Sequence, residues 1–386
     1  MSKSLGSRKR RAATALVCVM GLLGVPGVGF GQQPTPAQAP KAQPARKTPP
    51  AAADAEVSAA EAKDALQRAH SRFKGVKEGK NADYIPSLAK VDPGLFGIVL
   101  VTVDGRVYSV GDSESPFAIE SVSKPFTLAR VLQDVGAAKV EKKIGTNATG
   151  EPFNSITAIE QNKEANRPPA GNPLVNAGAI TAVSMVPAKS ADERWTRIHD
   201  TLNDFAGREL PVNEEVYRSE SATNTRNRAI SWLLKSYDAL PGDPMEALDV
   251  YTRQCSVNVT AKDLAIMGAT LANGGMNPVT GKRVVDSDNA QKVLSQMLTT
   301  GLYENSGDWS FTAGLPAKSG VGGGIVAVVP GRFAVATFSP PLDKAGNSVR
   351  GQKAVESIIT ELGGDIFSSG GAKQAARSGG GVSGSR

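Results

Sequence analysis

Three Ser-x-x-Lys pairs occur in the chain: Ser71/Lys74 in "SRFK", Ser87/Lys90 in "SLAK" and Ser121/Lys124 in "SVSK". Such a pair can hold a nucleophile and its base. A serine hydroxyl attacks a carbonyl carbon only when a neighbouring group takes its proton. A lysine can do so once burial lowers its pKa from about 10.4. Residues three apart share a helix face. Spacing does not choose among the three pairs, and on spacing alone Ser121 reads as a helix N-cap beside a surface lysine. Context separates them. Ser121 stands just before Pro125 and the apolar-periodic "FTLARVL". Proline suits the first turn of a helix, so Ser121 falls at or near a helix N-terminus. Free N–H groups and the helix dipole favour developing negative charge there. Ser71 and Ser87 lie in polar or loop-like surroundings.

The remaining inventory makes other chemistries poor fits. The chain has two histidines, His70 and His199, and two cysteines, Cys18 and Cys255. His70 lies on a charged helical pattern and reads as solvated. His199 reads as packing or facing solvent. Zinc sites draw on His, Cys and carboxylates, so neither zinc nor a Ser-His-Asp triad is expected. Cys255 has no histidine near it in sequence and reads as a small buried hydrophobe.

Other stretches offer partners for Ser121, each with a plainer alternative. "LPAKSGVGGG" sets Lys318, Ser319 and Gly320 before an apolar strand. Small residues there let a substrate lie along a strand edge and meet backbone N–H groups, which with that of Ser121 could form an oxyanion hole. The same glycines could be a flexible turn. They do not match a phosphate loop. Asn176 heads a small-residue helix after the turn signal Asn172-Pro173, and could be only a cap. Glu220, Arg226 and Asn227 cluster around a helix start, a pattern that usually faces solvent. Tyr251 and Tyr303 are two of six tyrosines and could be core or rim residues.

The elements that would position these groups follow from periodicity. "FGIVLVTVDGRVYSVGD" predicts strands over Phe96–Val103 and Arg106–Gly111 around the turn Asp104-Gly105. "IVAVVPGRFAVATFSP" predicts two more around Pro330-Gly331. Two hairpins so far apart imply one antiparallel sheet built from both ends of the domain. Between them, "VNAGAITAVSMV", "ERWTRIHDTLNDFAG", "NTRNRAISWLLKSY", "TAKDLAIMGATLANGG" and "DNAQKVLSQMLTT" carry helical spacing. Thr260 is placed to cap the fourth of these and Gly274 to end it. The expected class is α/β of the α+β type, with a cleft between sheet and helical insertion.

The 386-residue chain carries a net charge of +7, of which Lys3, Arg8, Lys9, Arg10 and Arg11 supply five. The remainder is nearly neutral, so no nucleic-acid surface is implied. The basic start and the apolar stretch from Ala12 to about Phe30 read as a signal peptide over 1–31. This implies a periplasmic or secreted protein, membrane-anchored if the segment is uncleaved. Residues 32–57 read as a disordered Pro/Ala-rich linker, 58–367 as the catalytic domain and 368–386 as a disordered Gly/Ser-rich tail. Once the leader is removed, Cys255 is the remaining cysteine and no intramolecular disulfide can form.

Taken together, "SVSKPF", "NPLVNAGAI", the Glu220 and Asn227 stretch, "YTRQCSVNVT", "LANGGMNPVTGKRV", "GLPAKSGVGGGI" and "SPPLDKAGNSVRG" resemble the serine-dependent glutaminases. The resemblance runs in order from about Gly79 to about Gly351. It implies a serine β-lactamase-like fold: a mainly antiparallel sheet flanked by helices, with an inserted helical subdomain. It implies hydrolysis of L-glutamine to L-glutamate and ammonia without metal or organic cofactor, and a homo-oligomer, dimer or tetramer. By this resemblance Ser121 is the nucleophile and Lys124 its base. Tyr303 assists proton movement to the leaving ammonia and Tyr251 lies near the reacting atoms. The N–H groups of Ser121 and Val321 hold the oxyanion. Tyr84, Asn176, Glu220, Asn227 and Tyr251 bind substrate. A β-lactamase or cell-wall peptidase, or a non-catalytic amino-acid-binding relative, are the rival readings.

Overall fold

Two apolar hairpins from opposite ends of the domain pair to make the central sheet, as their patterning predicts. The computed structural model describes residues 57–368. The expectations for the leader over 1–31, the linker over 32–57 and the tail over 368–386 lie outside the described residues, except at residues 57 and 368. The N-terminal hairpin is β1 (Gly97–Thr102) and β2 (Val107–Gly111), turning at Gly105 with φ +87°. The C-terminal strands are β3 (Ala317–Ser319), β4 (Gly324–Val329) and β5 (Phe333–Phe338). The order is β2-β1-β5-β4-β3, antiparallel throughout, and β1 meets β5 with Gly97 opposite Phe338. β3 is therefore an edge strand.

The central strands read "GIVLVT", "GIVAVV" and "FAVATF" because both of their faces are buried. Alternate residues serve different layers. Ile98, Leu100, Ile325, Ala327, Phe333 and Val335 pack on one face, beneath α1 (Ala59–Phe73) and α10 (Val349–Leu362). Val99, Val101, Val326, Val328, Ala334 and Ala336 face the large core of the helical region. That region holds α2 (Lys124–Val135), α3 (Asn176–Met185), α4 (Ala191–Ala206), α5 (Glu214–Thr223) and α6 (Thr225–Ser236). It continues with α7 (Pro244–Cys255), α8 (Ala261–Ala272) and α9 (Ser287–Thr300).

Thr260 caps α8 in a reciprocal capping box with Asp263, and Gly274 follows its end in the left-handed region at φ +59°. Two helices that carry site residues, α5 and α7, are not among the five predicted. Among the described residues no helix is long and apolar enough to cross a membrane. His70 departs from its expected solvated state. Its ring stacks on Phe96 at 5.0 Å and lies 3.2 Å from the Phe96 carbonyl oxygen. His199 packs, stacked on Trp195 and 2.7 Å from the Leu210 carbonyl oxygen.

Candidate active site

Ser121 lies on a 3-10 turn, Glu120–Ser123, that runs directly into α2. Pro125 falls in the first turn of that helix. Two antiparallel pairings fix the approach: Phe117 opposite Val259 and Ala118 opposite Asn258. The Ile119 N–H then donates to the Val257 carbonyl at 2.8 Å. The segment that enters the serine turn is thus tied to the segment that leaves α7. The Ser123 hydroxyl closes the turn by donating to the Glu120 carbonyl at 2.6 Å, and accepts from Gln254 Nε2 at 3.0 Å.

Lys124 is 1% exposed. Its Nζ donates to Asn176 Oδ1 at 2.7 Å and to the Leu174 carbonyl at 3.4 Å. Burial, opposed by Cys255, Glu120 and Glu220, brings its pKa down to about 8. The surface-lysine alternative is therefore wrong for this residue. Asn176 opens α3 and is the hub of the site. Its Oδ1 also accepts from the Tyr251 hydroxyl at 3.2 Å, and its Nδ2 donates to Asn227 Oδ1 at 2.9 Å. Asn227 sits in the first turn of α6 and Glu220 in the last turn of α5, so the presumed single helix start is a break between two helices. Glu220 is buried, not solvated, and burial raises its carboxyl pKa. Tyr251 lies inside α7, fully enclosed, with its phenol pKa raised by burial.

Tyr303 stands on a short turn at φ +57°, unusual for a side chain of that size. Its hydroxyl donates to the Ser319 carbonyl at 3.2 Å and interacts with the Ser121 side chain. Lys318 braces this turn. Its Nζ donates to the carbonyls of Gly301 (3.0 Å) and Ser319 (2.6 Å) and lies 4.1 Å from the centre of the Tyr303 ring. The small residues after it allow a close crossing: a Cβ on Gly322 would lie 2.3 Å from the Ala118 carbonyl oxygen. Among the described residues the Val321 N–H has no backbone acceptor.

A cleft of ≈ 90 Å³ is lined by Tyr84, Ser121, Asn176, Glu220, Asn227, Tyr251 and Val321, together with Glu120, Phe153 and Arg226. Lys124 and Tyr303 stand behind its wall, through Asn176 and Ser121. Tyr84, 54% exposed, stands at the mouth. All nine residues singled out in the sequence thus converge here. A larger groove of ≈ 670 Å³ near Lys74, Lys77 and Arg350 contains none of them, so size does not mark the site. Ser71 and Ser87 are elsewhere. Cys255 is buried as expected, yet its Sγ lies within 4.8 Å of carboxylate oxygens of both Glu120 and Glu220. Sequence reasoning passed over Glu120, which adjoins Ser121 but has no spacing signal.

The glutaminase family model matches residues 79–367 of the chain. The chain belongs to the glutaminase family. A glutaminase of Colwellia psychrerythraea (strain 34H) is 54% identical over 302 residues, covering 78% of this chain and 96% of the relative. The solved structure of the probable glutaminase ybaS shares 50% identity at a TM-score of 0.79, covering 81% of this chain and all of that one. The Bacillus subtilis glutaminase YbgJ shares 30% identity at a TM-score of 0.70, covering 80% and 99%. It was solved as a covalent complex with 5-oxo-L-norleucine, formed by reaction with 6-diazo-5-oxo-L-norleucine. The β-lactamase-like architecture expected for glutaminases is the one found here.

The close approach of α3 to the serine region gives a first test. A Cβ at Gly178 would lie 1.7 Å from the Asn172 carbonyl oxygen. Gly178→Ala must push Asn172-Pro173 away and tilt Asn176. Overpacking of this kind costs about 3 kcal/mol or more. The expected result is a lower urea midpoint together with reduced activity.

Proposed function

We propose that this glutaminase hydrolyses the side-chain amide of L-glutamine through a covalent intermediate on Ser121. The observation that carries this reading is the buried Lys124, with a pKa near neutrality, one helical turn from a serine that faces the cleft. Lys124 takes the hydroxyl proton as Ser121 Oγ bonds to the amide carbon. The carbonyl electron pair moves onto oxygen, where the N–H groups of Ser121 and Val321 meet it. As the C–N bond breaks, the Tyr303 hydroxyl gives its proton to the departing ammonia and takes the one held by Lys124, which leaves the lysine neutral again. Water then attacks the glutamyl ester and gives up a proton to Lys124, which passes it to Ser121 Oγ as the ester C–O bond breaks and L-glutamate leaves. No step requires a cofactor.

Glu220 is assigned to the substrate ammonium. The α-carboxylate goes to donors from Tyr84, Tyr251 and Asn176, whose Nδ2 has a second proton besides the one given to Asn227. Asn227 holds that amide in orientation. Turnover of L-glutamine, L-asparagine and a chromogenic β-lactam by the purified protein tests the assignment. Rapid ammonia release from L-glutamine is expected; hydrolysis of the β-lactam with none of L-glutamine would overturn it.

The same reading includes a homo-oligomer, dimer or tetramer, to be checked by light scattering. It includes export, with a periplasmic or secreted product, argued from the basic and then apolar N-terminal sequence. Intact mass of the processed protein checks cleavage.

A further inference from the structure

We propose that Glu120 is a second substrate-binding carboxylate, which joins Glu220 in a two-pronged receptor for the α-ammonium group of the substrate. This rests on the reading of the Ser121 cleft as the glutamine site. Both side chains are buried and both line that cleft. Each has one buried carboxylate oxygen with no hydrogen-bond partner, Glu120 Oε1 and Glu220 Oε2. Buried carboxylates left without donors are costly, so such a pair calls for a guest rich in them.

Geometry selects the guest. Carboxylate oxygens of the two residues lie within 4.8 Å of one another. Charge-assisted N–H···O contacts are about 2.8 Å long, and donors spread tetrahedrally from one nitrogen reach oxygens about 4.6 Å apart. An ammonium group therefore fits between them. Glu120 is aimed at this point by an unusual backbone. It has φ +50°, and its carbonyl is pinned by the Ser123 hydroxyl. The absence of a side chain at Gly322 leaves room for its stem, since a Cβ there would lie 3.3 Å from Glu120 Cγ.

The neighbours agree with a cationic organic guest. Lys124 faces the pair, but its hydrogen bonds go to Asn176 and Leu174. Tyr251 and Tyr303 bring hydroxyls that burial keeps protonated, and Tyr84 adds a third at the mouth. Cys255 completes the cluster, and burial also keeps its thiol protonated, a poor state for metal ligation. In the empty cleft, burial and the charge of Glu220 raise the Glu120 carboxyl, so the pair carries less than its full charge until the ammonium arrives.

Glu120→Gln, compared with wild type on L-glutamine and on 4-carbamoylbutanoate, which lacks the amino group, tests this. The variant should raise KM for L-glutamine by about tenfold or more with kcat within about threefold. Turnover of the desamino compound should stay level or improve, so that the preference for the amino acid collapses. An unchanged preference, or a loss of kcat at constant KM, would overturn the proposal. The second result would make Glu120 only a shaper of the serine turn. If the variant folds poorly, a crystal structure of wild type with L-glutamate decides: the amino nitrogen must contact both carboxylates, and contact with Glu220 alone refutes the pair. Failure of the underlying reading appears separately, as continued turnover by Ser121→Ala.

Discussion

Ser121→Ala is expected to lower kcat on L-glutamine by at least about a thousandfold while L-glutamine still binds. In the mechanism we propose, the Oγ atom forms the bond to the amide carbon. Ser123 is the nearest alternative hydroxyl in sequence, but it is committed to the Glu120 carbonyl and Gln254. Its distinct position on the turn also points it away from the cleft lining. The residual rate should be that of substrate held beside the Val321 N–H with no covalent intermediate. Ammonia release gives the rate and calorimetry the affinity. The alanine removes a small side chain from a turn held by backbone pairings, so the melting temperature should barely move. Turnover near wild type would remove Ser121 from the mechanism.

The fold was legible where burial imposes a period. β1, β4 and β5 are continuous apolar runs because each is covered on both faces, and the turn at Gly105 follows from Asp104-Gly105. The capping box at Thr260 marks the start of α8 in the same way. α5 and α7 were not legible. Their buried faces carry Glu220 and Tyr251, groups of the cleft that read in the sequence as surface or rim residues. The site shows the same limit. Ser121, Lys124 and the small residues around Gly320 have local signatures. Glu220, Asn227 and Tyr251 look like surface or core residues until the chain folds, and only resemblance to a family joined them to Ser121. Glu120 shows the limit most plainly. Acidic residues beside a helix start are commonplace, and nothing in "AIESVS" indicates that φ +50° will turn this one into the cleft.

Lys124→Met is expected to reduce kcat/KM by about a hundredfold to ten-thousandfold, the range lost with a general base. Lys124→Arg should be about as inactive. Arginine keeps a positive charge and can still reach Asn176, but its pKa exceeds about 12 and it cannot surrender a proton. The pair of variants therefore separates a base from a structural cation. The wild-type pH profile supplies the sign. The lysine must be neutral to accept the Ser121 proton, and burial places its pKa at about 8. Below that value kcat/KM should fall about tenfold per pH unit, and above it the profile should level. Glu120 and Glu220 raise the lysine pKa against the effect of burial. A substrate ammonium seated between those carboxylates offsets their charge and adds a positive one beside Lys124. Its pKa should then drop in the complex, so the acid limb of kcat should lie at lower pH than that of kcat/KM. An active arginine variant, or a kcat/KM profile flat from pH 6 to about 9, would show that Lys124 holds the site together without taking the proton.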